Sequence, residues 1–198
     1  MAITNGYTTL NEVKAILRIT DSVDDSLLET CVESASRQID THCERVFTTG
    51  SAVRYYVPND SYVTEIDDLV TLSSLKTTSD GKGTYDTTWT ATDYQLEPLN
   101  GLVGGKYSPA TQIRAVGDFL FTTLGGEATV EVTGLFGYGT AIPSDVKQAC
   151  NLLAIRQYKR YDSPLGVAGF GDIGVVRVSR VDPDIESLLA PYRKIRMA

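Results

Sequence analysis

The chain has 198 residues, 42% of them hydrophobic and 22% charged, the composition of an ordinary globular protein with room for one substantial core. A formal net charge of −7 argues against a protein that grips nucleic acid over an extended basic surface, because phosphate contacts need clustered Lys and Arg. The opening "MAITNGYTTLNEVK" lacks the basic and apolar regions of a secretory signal, and no apolar run approaches the ~20 residues of a membrane span, so a chain made and used in the cytoplasm, or packaged from there, is expected.

Helical signals come first. Thr9 and Glu12 stand in the relation of a capping box, with Leu10, Val13 and Leu17 following at helical spacing. A second helix is expected to open at Asp21 or Ser22, with Asp24 and Asp25 in its first turn, where the helix dipole favours negative charge. Its apolar stripe is Leu28, Cys31, Val32, Ala35 and Ile39. From about residue 51 to 138 the period changes to two. "SAVRYYV" alternates through Val53, Tyr55 and Val57, and "ATVEVTGLFGY" sets Ala128, Val130, Val132, Phe136 and Tyr138 against Thr129, Glu131 and Thr133. "VTLSSLKTT", "TWTATDYQLEP" and "TQIRAVGDFLF" lie between them, separated by the turn-rich "SDGKGT", "NGLVGGKYSP" and "TLGGE". No gap is long enough for a parallel crossover helix, so an antiparallel meander or small sandwich is expected.

Helix then resumes in "AIPSDVKQACNLLAIRQYKRYDSPLG". Pro143 suits the first helical position, and Val146, Ala149, Cys150 and Leu153 form a stripe that Leu152, Ala154 and Ile155 widen almost to a full circle. Such a helix is expected to be buried on several sides, by its own fold or by neighbouring copies. It should end near Tyr161, before Pro164, and a short last helix should run from Pro183 to Ala190, opened by Asp182 and cut by Pro191. The pattern as a whole predicts an α+β fold. Two N-terminal helices, one long later helix and a short C-terminal helix form an antiparallel helical bundle core carrying an antiparallel β insertion. It is read as a single domain over 1–198, divided into a helix pair (1–50), a β-rich insertion (51–140) and a later helix, Gly-rich arm and tail (141–198).

Chemistry is thin. "GFGDIG", Gly169 to Gly174, matches a phosphate-cradling pattern, but it follows a helix and loop and precedes the β-like "VVRVS", the reverse of a dinucleotide fold. A flexible arm that orders on a partner is the better reading of 162–174. Cys31, Cys43 and Cys150 have no C-x-x-C spacing, and His42 and Cys43 point about 100° apart on a helix, so neither a disulfide framework nor a metal site is indicated. One histidine leaves acid-base catalysis poorly supplied. The adjacent acids Asp24-Asp25 and Asp67-Asp68 read as solvated charge, and Tyr85, Trp89 and Tyr94 as cross-strand packing rather than a stacking platform. No catalytic, metal or cofactor residue is assigned. Arg156, Lys159 and Arg160 share a helix face and complement its dipole, while Arg193, Lys194 and Arg196 make a basic tail that reads as a frayed terminus; the alternative for both is electrostatic docking to an acidic partner or an occasional DNA phosphate.

The order of these elements resembles the phage head-tail connector family, also called head-completion or adaptor proteins. "TTLNEVKAILRITDSVDDSLLETCVESASRQIDTHCERVF" is similar to that family's opening helix pair, "IPSDVKQACNLLAIRQYKR" to its later helix, and "LLAPYR" to its closing signature. The middle departs from many relatives, which have a shorter hairpin where this chain has an expanded β section. The resemblance implies a structural protein without catalysis. It would form a homo-oligomeric ring, commonly of twelve copies, beneath the portal protein at the virion neck, extend the DNA conduit without holding the genome tightly, and offer a platform to a stopper or tail-completion protein. Such a protein has no cofactor and no membrane partner, and is assembled in the host cytoplasm. On this reading Leu28, Val32, Ile39, Val146, Leu153, Tyr158 and Phe170 are candidate subunit contacts. Leu188, Leu189, Tyr192, Arg193, Lys194 and Arg196 are candidates for docking the portal or another partner. A soluble β-rich module binding a ligand or glycan through Tyr85, Trp89 and Tyr94 is the alternative, and a small nucleotide-dependent enzyme using "GFGDIG" a further one.

Overall fold

A computed structural model describes residues 3–161 and 182–194. The chain condenses into two compact units, Met1–Arg45 with Ile142–Ala198, and Val46–Ala141. The reason lies in the β insertion, which is large enough to enclose an apolar core of its own.

The first unit is helical. Helix α1 spans Leu10–Leu17, and its capping box is formed in full: the Thr9 hydroxyl accepts from the Glu12 amide while the Glu12 carboxylate accepts from the Thr9 amide. Arg18, in the left-handed conformation, ends it. Helix α2, Asp25–Cys43, starts later than expected. Asp24 is its cap residue, and the Asp21 carboxylate instead receives the Val23 amide in a local turn. Helix α3, Ser144–Tyr161, likewise begins one residue late; Pro143 stands before it and its carbonyl accepts the Lys147 amide at 3.0 Å. Helix α4, Pro183–Leu189, is capped by the Asp182 carboxylate and runs into a 3-10 turn, Ala190–Tyr192.

Packing explains the α3 pattern. Its buried side is Val146, Ala149, Cys150, Asn151 and Ala154, mostly small residues at helical spacing, and they meet Leu28, Val32, Ala35, Ser36 and Ile39 of α2 in one core. The Ser36 hydroxyl lies 3.5 Å from the Cys150 sulfur, a close approach that larger side chains would forbid. Within the subunit Leu152, Leu153 and Ile155 are half-buried, and a polar residue, Asn151, sits on the inner side.

The second unit is built of eight strands: β1 (Gly50–Tyr56), β2 (Val63–Thr77), β3 (Thr87–Trp89), β4 (Tyr94–Glu97), β5 (Leu102–Val103), β6 (Lys106–Tyr107), β7 (Ala110–Ala115) and β8 (Val130–Phe136). All pairings are antiparallel, but the order β1-β8-β2-β7-β4 is not a meander. Strand β2 organises it. Its first half pairs with β7, its second half with β8 and, at Leu75–Thr77, with β3, and register shifts at Glu65/Leu69, Leu69/Thr71 and Leu72/Ser74 bend it between the two. Both halves contribute to one core, in which Trp89 and Phe121 stack with ring centroids 4.7 Å apart and the indole N–H donates to the Thr77 hydroxyl. Gly134 is required where β8 crosses β2, since a Cβ there would lie 2.4 Å from the Thr71 carbonyl oxygen.

Two expected strand faces are corrected. In β1 the stripe Val53, Tyr55, Val57 points outward and is about half exposed, while Ala52 and Tyr56 pack on the core. The Arg54 guanidinium lies over the Phe136 ring at 4.2 Å and is anchored to Asp67 at 2.6 Å, which lets the alternate face turn inward despite its charge. Thr129, placed among the wet residues by alternation, is fully buried because its hydroxyl donates to the Thr122 carbonyl.

Candidate functional site

The helical unit is sealed by polar contacts that each join two elements. Lys147 of α3 reaches Glu12 of α1 at 2.5 Å, and Lys14 of α1 reaches Asp25 of α2 at 2.5 Å. The Lys147 ammonium holds the Glu12 carboxyl down at about 2. Tyr158 of α3 donates to Asp24 at the start of α2, 2.6 Å away. Tyr7, buried ahead of α1, donates its hydroxyl to Asp40, and burial raises that carboxyl despite the bond and the Arg37 guanidinium nearby. At the C-terminal side, Tyr192 donates to Asp145 at 3.1 Å and the Lys194 amide donates to the Cys43 carbonyl at 2.9 Å. Between α2, α3 and α4 lies a cavity of about 210 Å³, lined by Ile39, Leu153, Ile185 and Leu189 with His42 and Arg156 at its polar side. Arg156 faces Asp182, the cap of α4, at 3.8 Å.

These contacts relocate the residues proposed for assembly. Leu28, Val32, Ile39 and Val146 have no exposed surface and belong to the subunit's own core, so a second copy cannot touch them without unfolding the unit. The stripe of an amphipathic helix was legible; what covers it, α3 of the same chain, was not. Leu153 is half-buried in the cavity wall, and Tyr158 is engaged with Asp24. Leu189 is buried, Leu188 half-buried, and Tyr192 is tied to α3, so this part of the closing signature holds the helical unit together. Arg193 is exposed, and the Lys194 backbone is pinned to the end of α2. Phe170, the "GFGDIG" loop, "VVRVS" and Arg196 lie outside the described residues.

The other candidates resolve into ordinary structure. Cys31, Cys43 and Cys150 are free, buried thiols, and burial raises all three, Cys43 to about 11, which suppresses their reactivity. Among the described residues no group of three His, Cys, Asp or Glu side chains could hold a metal ion. Asp67 serves Arg54 and Tyr56 in the strand unit; Asp24 and Asp25 serve Tyr158 and Lys14. Trp89 is buried in the strand core, Tyr85 donates to the Ala128 carbonyl, and Tyr94 sits in the other half of the sheet, so the three make no common platform. Among the described residues no helix is long and apolar enough to cross a membrane.

Sequence reasoning passed over a feature in "NGLVGGKYSP". Strands β5 and β6 pair only with each other around Gly104 and Gly105, both at positive φ, which makes a tight two-residue hairpin whose large side chains are exposed. The signal was present as Gly-Gly flanked by apolar pairs, but strands of two residues are too short for a periodicity to register.

Comparison with known proteins agrees with this architecture. Residues 7–78, which contain α1, α2, β1 and β2, match the family model described as "Phage gp6-like head-tail connector protein". The whole chain superposes on a chain from the neck of an empty GTA particle computed with C6 symmetry, at a TM-score of 0.64 and 18% identity, covering 95% of that chain. A chain from the neck of the native GTA particle computed with C12 symmetry gives 0.61 and 17%, with 94% of it covered, and one from the virion of the native gene transfer agent particle gives 0.59 and 20%, with 95% covered. Each comparison covers 100% of the present chain. No curated protein sequence matches it. The first two helices and first two strands thus match the head-tail connector family model, and the fold is shared along the full length with these GTA chains.

Proposed function

We propose that this chain is a structural connector of a virion neck, acting as a ring of identical subunits between the portal of the head and the components that lead to the tail. The observation that carries the reading is the full-length likeness to chains from GTA necks computed with C6 and C12 symmetry. A ring of twelve is the copy number it favours. A chain with net charge −7 suits a conduit, since like charge repels a duplex in transit rather than holding it. Sliding requires weak contact.

Docking to the portal is assigned to the end of the chain, where exposed Arg193 is followed by Lys194 and Arg196, and to the arm that contains Phe170. Leu188 and Leu189 support that end from within the helical unit. The purified chain mixed with its portal and imaged by electron microscopy tests the reading. Rings stacked coaxially on the portal are expected; a portal that stays bare at saturating subunit refutes it. Removing residues 195–198 should reduce stacking while leaving the helical unit folded, because a terminal segment contributes little to a core.

A further inference from the structure

In the helical unit the large apolar side chains exposed among the described residues are Ile16, Val23 and Tyr161, widely spaced in the sequence. The strand unit differs. Its β1 stripe exposes Val53 (49%), Tyr55 (56%) and Val57 (45%), with Tyr85 against Tyr55 at 5.3 Å between ring centroids. Its β5-β6 hairpin exposes Leu102 (52%), Val103 (60%) and Tyr107 (46%), and the 3-10 turn Leu99–Gly101 that leads into it exposes Leu99 (57%). A third group, Tyr62, Val116, Phe119 and Leu120, lies beside the strand core, and Phe119 packs on Trp89 at 5.1 Å.

The stripe and the hairpin are both built to stay in place while exposed. The stripe lies on a strand at the free edge of the sheet, paired with β8 along its full length. The hairpin is fastened at its base, where Tyr138 donates to the Tyr107 carbonyl at 2.8 Å with the two rings edge to face, and where the Ser108 amide donates to the Gly101 carbonyl at 2.9 Å. Neither segment has to be ordered on binding, so little conformational entropy opposes its use as a contact.

From these observations we infer that successive subunits meet through the strand unit, the β5-β6 hairpin of one copy seated on the β1 stripe of the next. The inference rests on the ring reading above and names the surface that would make the ring. Area supports a second copy as the occupant. The two patches together offer roughly 600 Å² of apolar surface, and with apolar atoms forming about 60% of a typical contact this corresponds to about 1,000 Å², the lower bound for a specific interface. The two patches are unlike: one lies on the edge strand of the main sheet, the other on a hairpin whose strands pair only with each other. Pairing of unlike surfaces is also what allows rings to close, whereas like-on-like contact stops at a dimer.

The test uses full-length chain. Tyr55→Asp and Val103→Asp place a charge on surface that is already exposed, so the fold should be retained, and each is expected to weaken self-association by about tenfold or more in sedimentation velocity. Leu120→Asp, in the third group, should assemble like the parent. A second arm uses thiols, since the natural cysteines are buried. Tyr55→Cys mixed with Val103→Cys should give oxidised dimers, and either variant alone should give few. Rings of the parent chain that are indifferent to both Asp variants, or cross-linking of Tyr55→Cys to itself, overturn this inference and leave the ring reading intact. A parent chain that stays monomeric at the highest concentration reached, alone and on the portal, removes both.

Discussion

The two units of this chain solve the same problem by opposite means. The helical unit closes on itself: small residues let α2 and α3 approach, and charged or tyrosine side chains bridge each pair of elements at its rim. The strand unit has an aromatic core around Trp89 and Phe121, yet leaves three groups of large apolar side chains exposed. Large apolar patches on a surface mark contact with something else, and their concentration in the strand unit is what the proposed contact between copies rests on. The sequence supplies a probe for each: all three cysteines lie in the helical unit and the single tryptophan lies in the strand unit.

The strongest way to break the comparison is to charge the helical core. Val32→Asp puts a carboxylate where the native side chain has no exposed surface and no charged partner is provided, a loss of about 4 kcal/mol or more that should abolish the helical unit. All three thiols should then react rapidly with a disulfide reagent. If they stay protected, the unit is not closed in the way described. Next in size is Phe121→Ala, which removes the partner of Trp89 and should cost about 3–5 kcal/mol. The midpoint of the tryptophan fluorescence transition in urea should fall accordingly, and an unchanged midpoint would mean that the aromatic pair is not central to the strand core.

Local rules read the helical unit well. The capping box at Thr9 and Glu12, the α2 stripe and the Asp182 cap with Pro183 are each decided within a turn or two of chain. What local rules could not give was the identity of the covering surface, so Leu28, Val32, Ile39 and Val146 were assigned to neighbours when α2 and α3 cover each other. In the strand unit the alternation was visible but its phase was not. Val53, Tyr55 and Val57 are the more apolar half of β1 and would normally face inward. They face outward because Arg54, lying on Phe136 and paired with Asp67, can line the inner side, and that pairing joins residues far apart in sequence. The β5-β6 hairpin and the bends of β2 were hidden for related reasons, one too short for a pattern and the other set by two different partners.

A gentler change sharpens the boundary of the helical unit. Tyr192→Phe deletes the hydroxyl that donates to Asp145 and should cost about 1 kcal/mol, read as a small drop in the urea midpoint of helical ellipticity. A variant as stable as the parent would show that the closing 3-10 turn does not depend on this bond.

The smallest expected effect concerns acid, where two carboxylates of the helical unit oppose one another. Glu12 has its carboxyl lowered to about 2 by Lys147, so its stabilising contribution is complete above the ordinary value of 4.5 and is lost as pH falls toward 2. Its side chain is 40% exposed, and solvent screening reduces the contribution to about 1 kcal/mol. Asp40 is raised by burial, so its charged form is a cost in the folded chain and protonation relieves that cost as pH falls. In the strand unit Asp80, Asp93 and Glu97 are lowered by hydrogen bonds and change in the same sense as Glu12, so a whole-chain melting curve would mix the two units. Helical ellipticity isolates the first, since α1 to α4 all belong to it. Glu12→Gln should therefore lower the helical midpoint by an amount that is largest above pH 5 and vanishes near pH 2. A difference that stays constant across this window would mean that the ion pair with Lys147 contributes nothing and that the carboxamide has only disturbed the cap of α1.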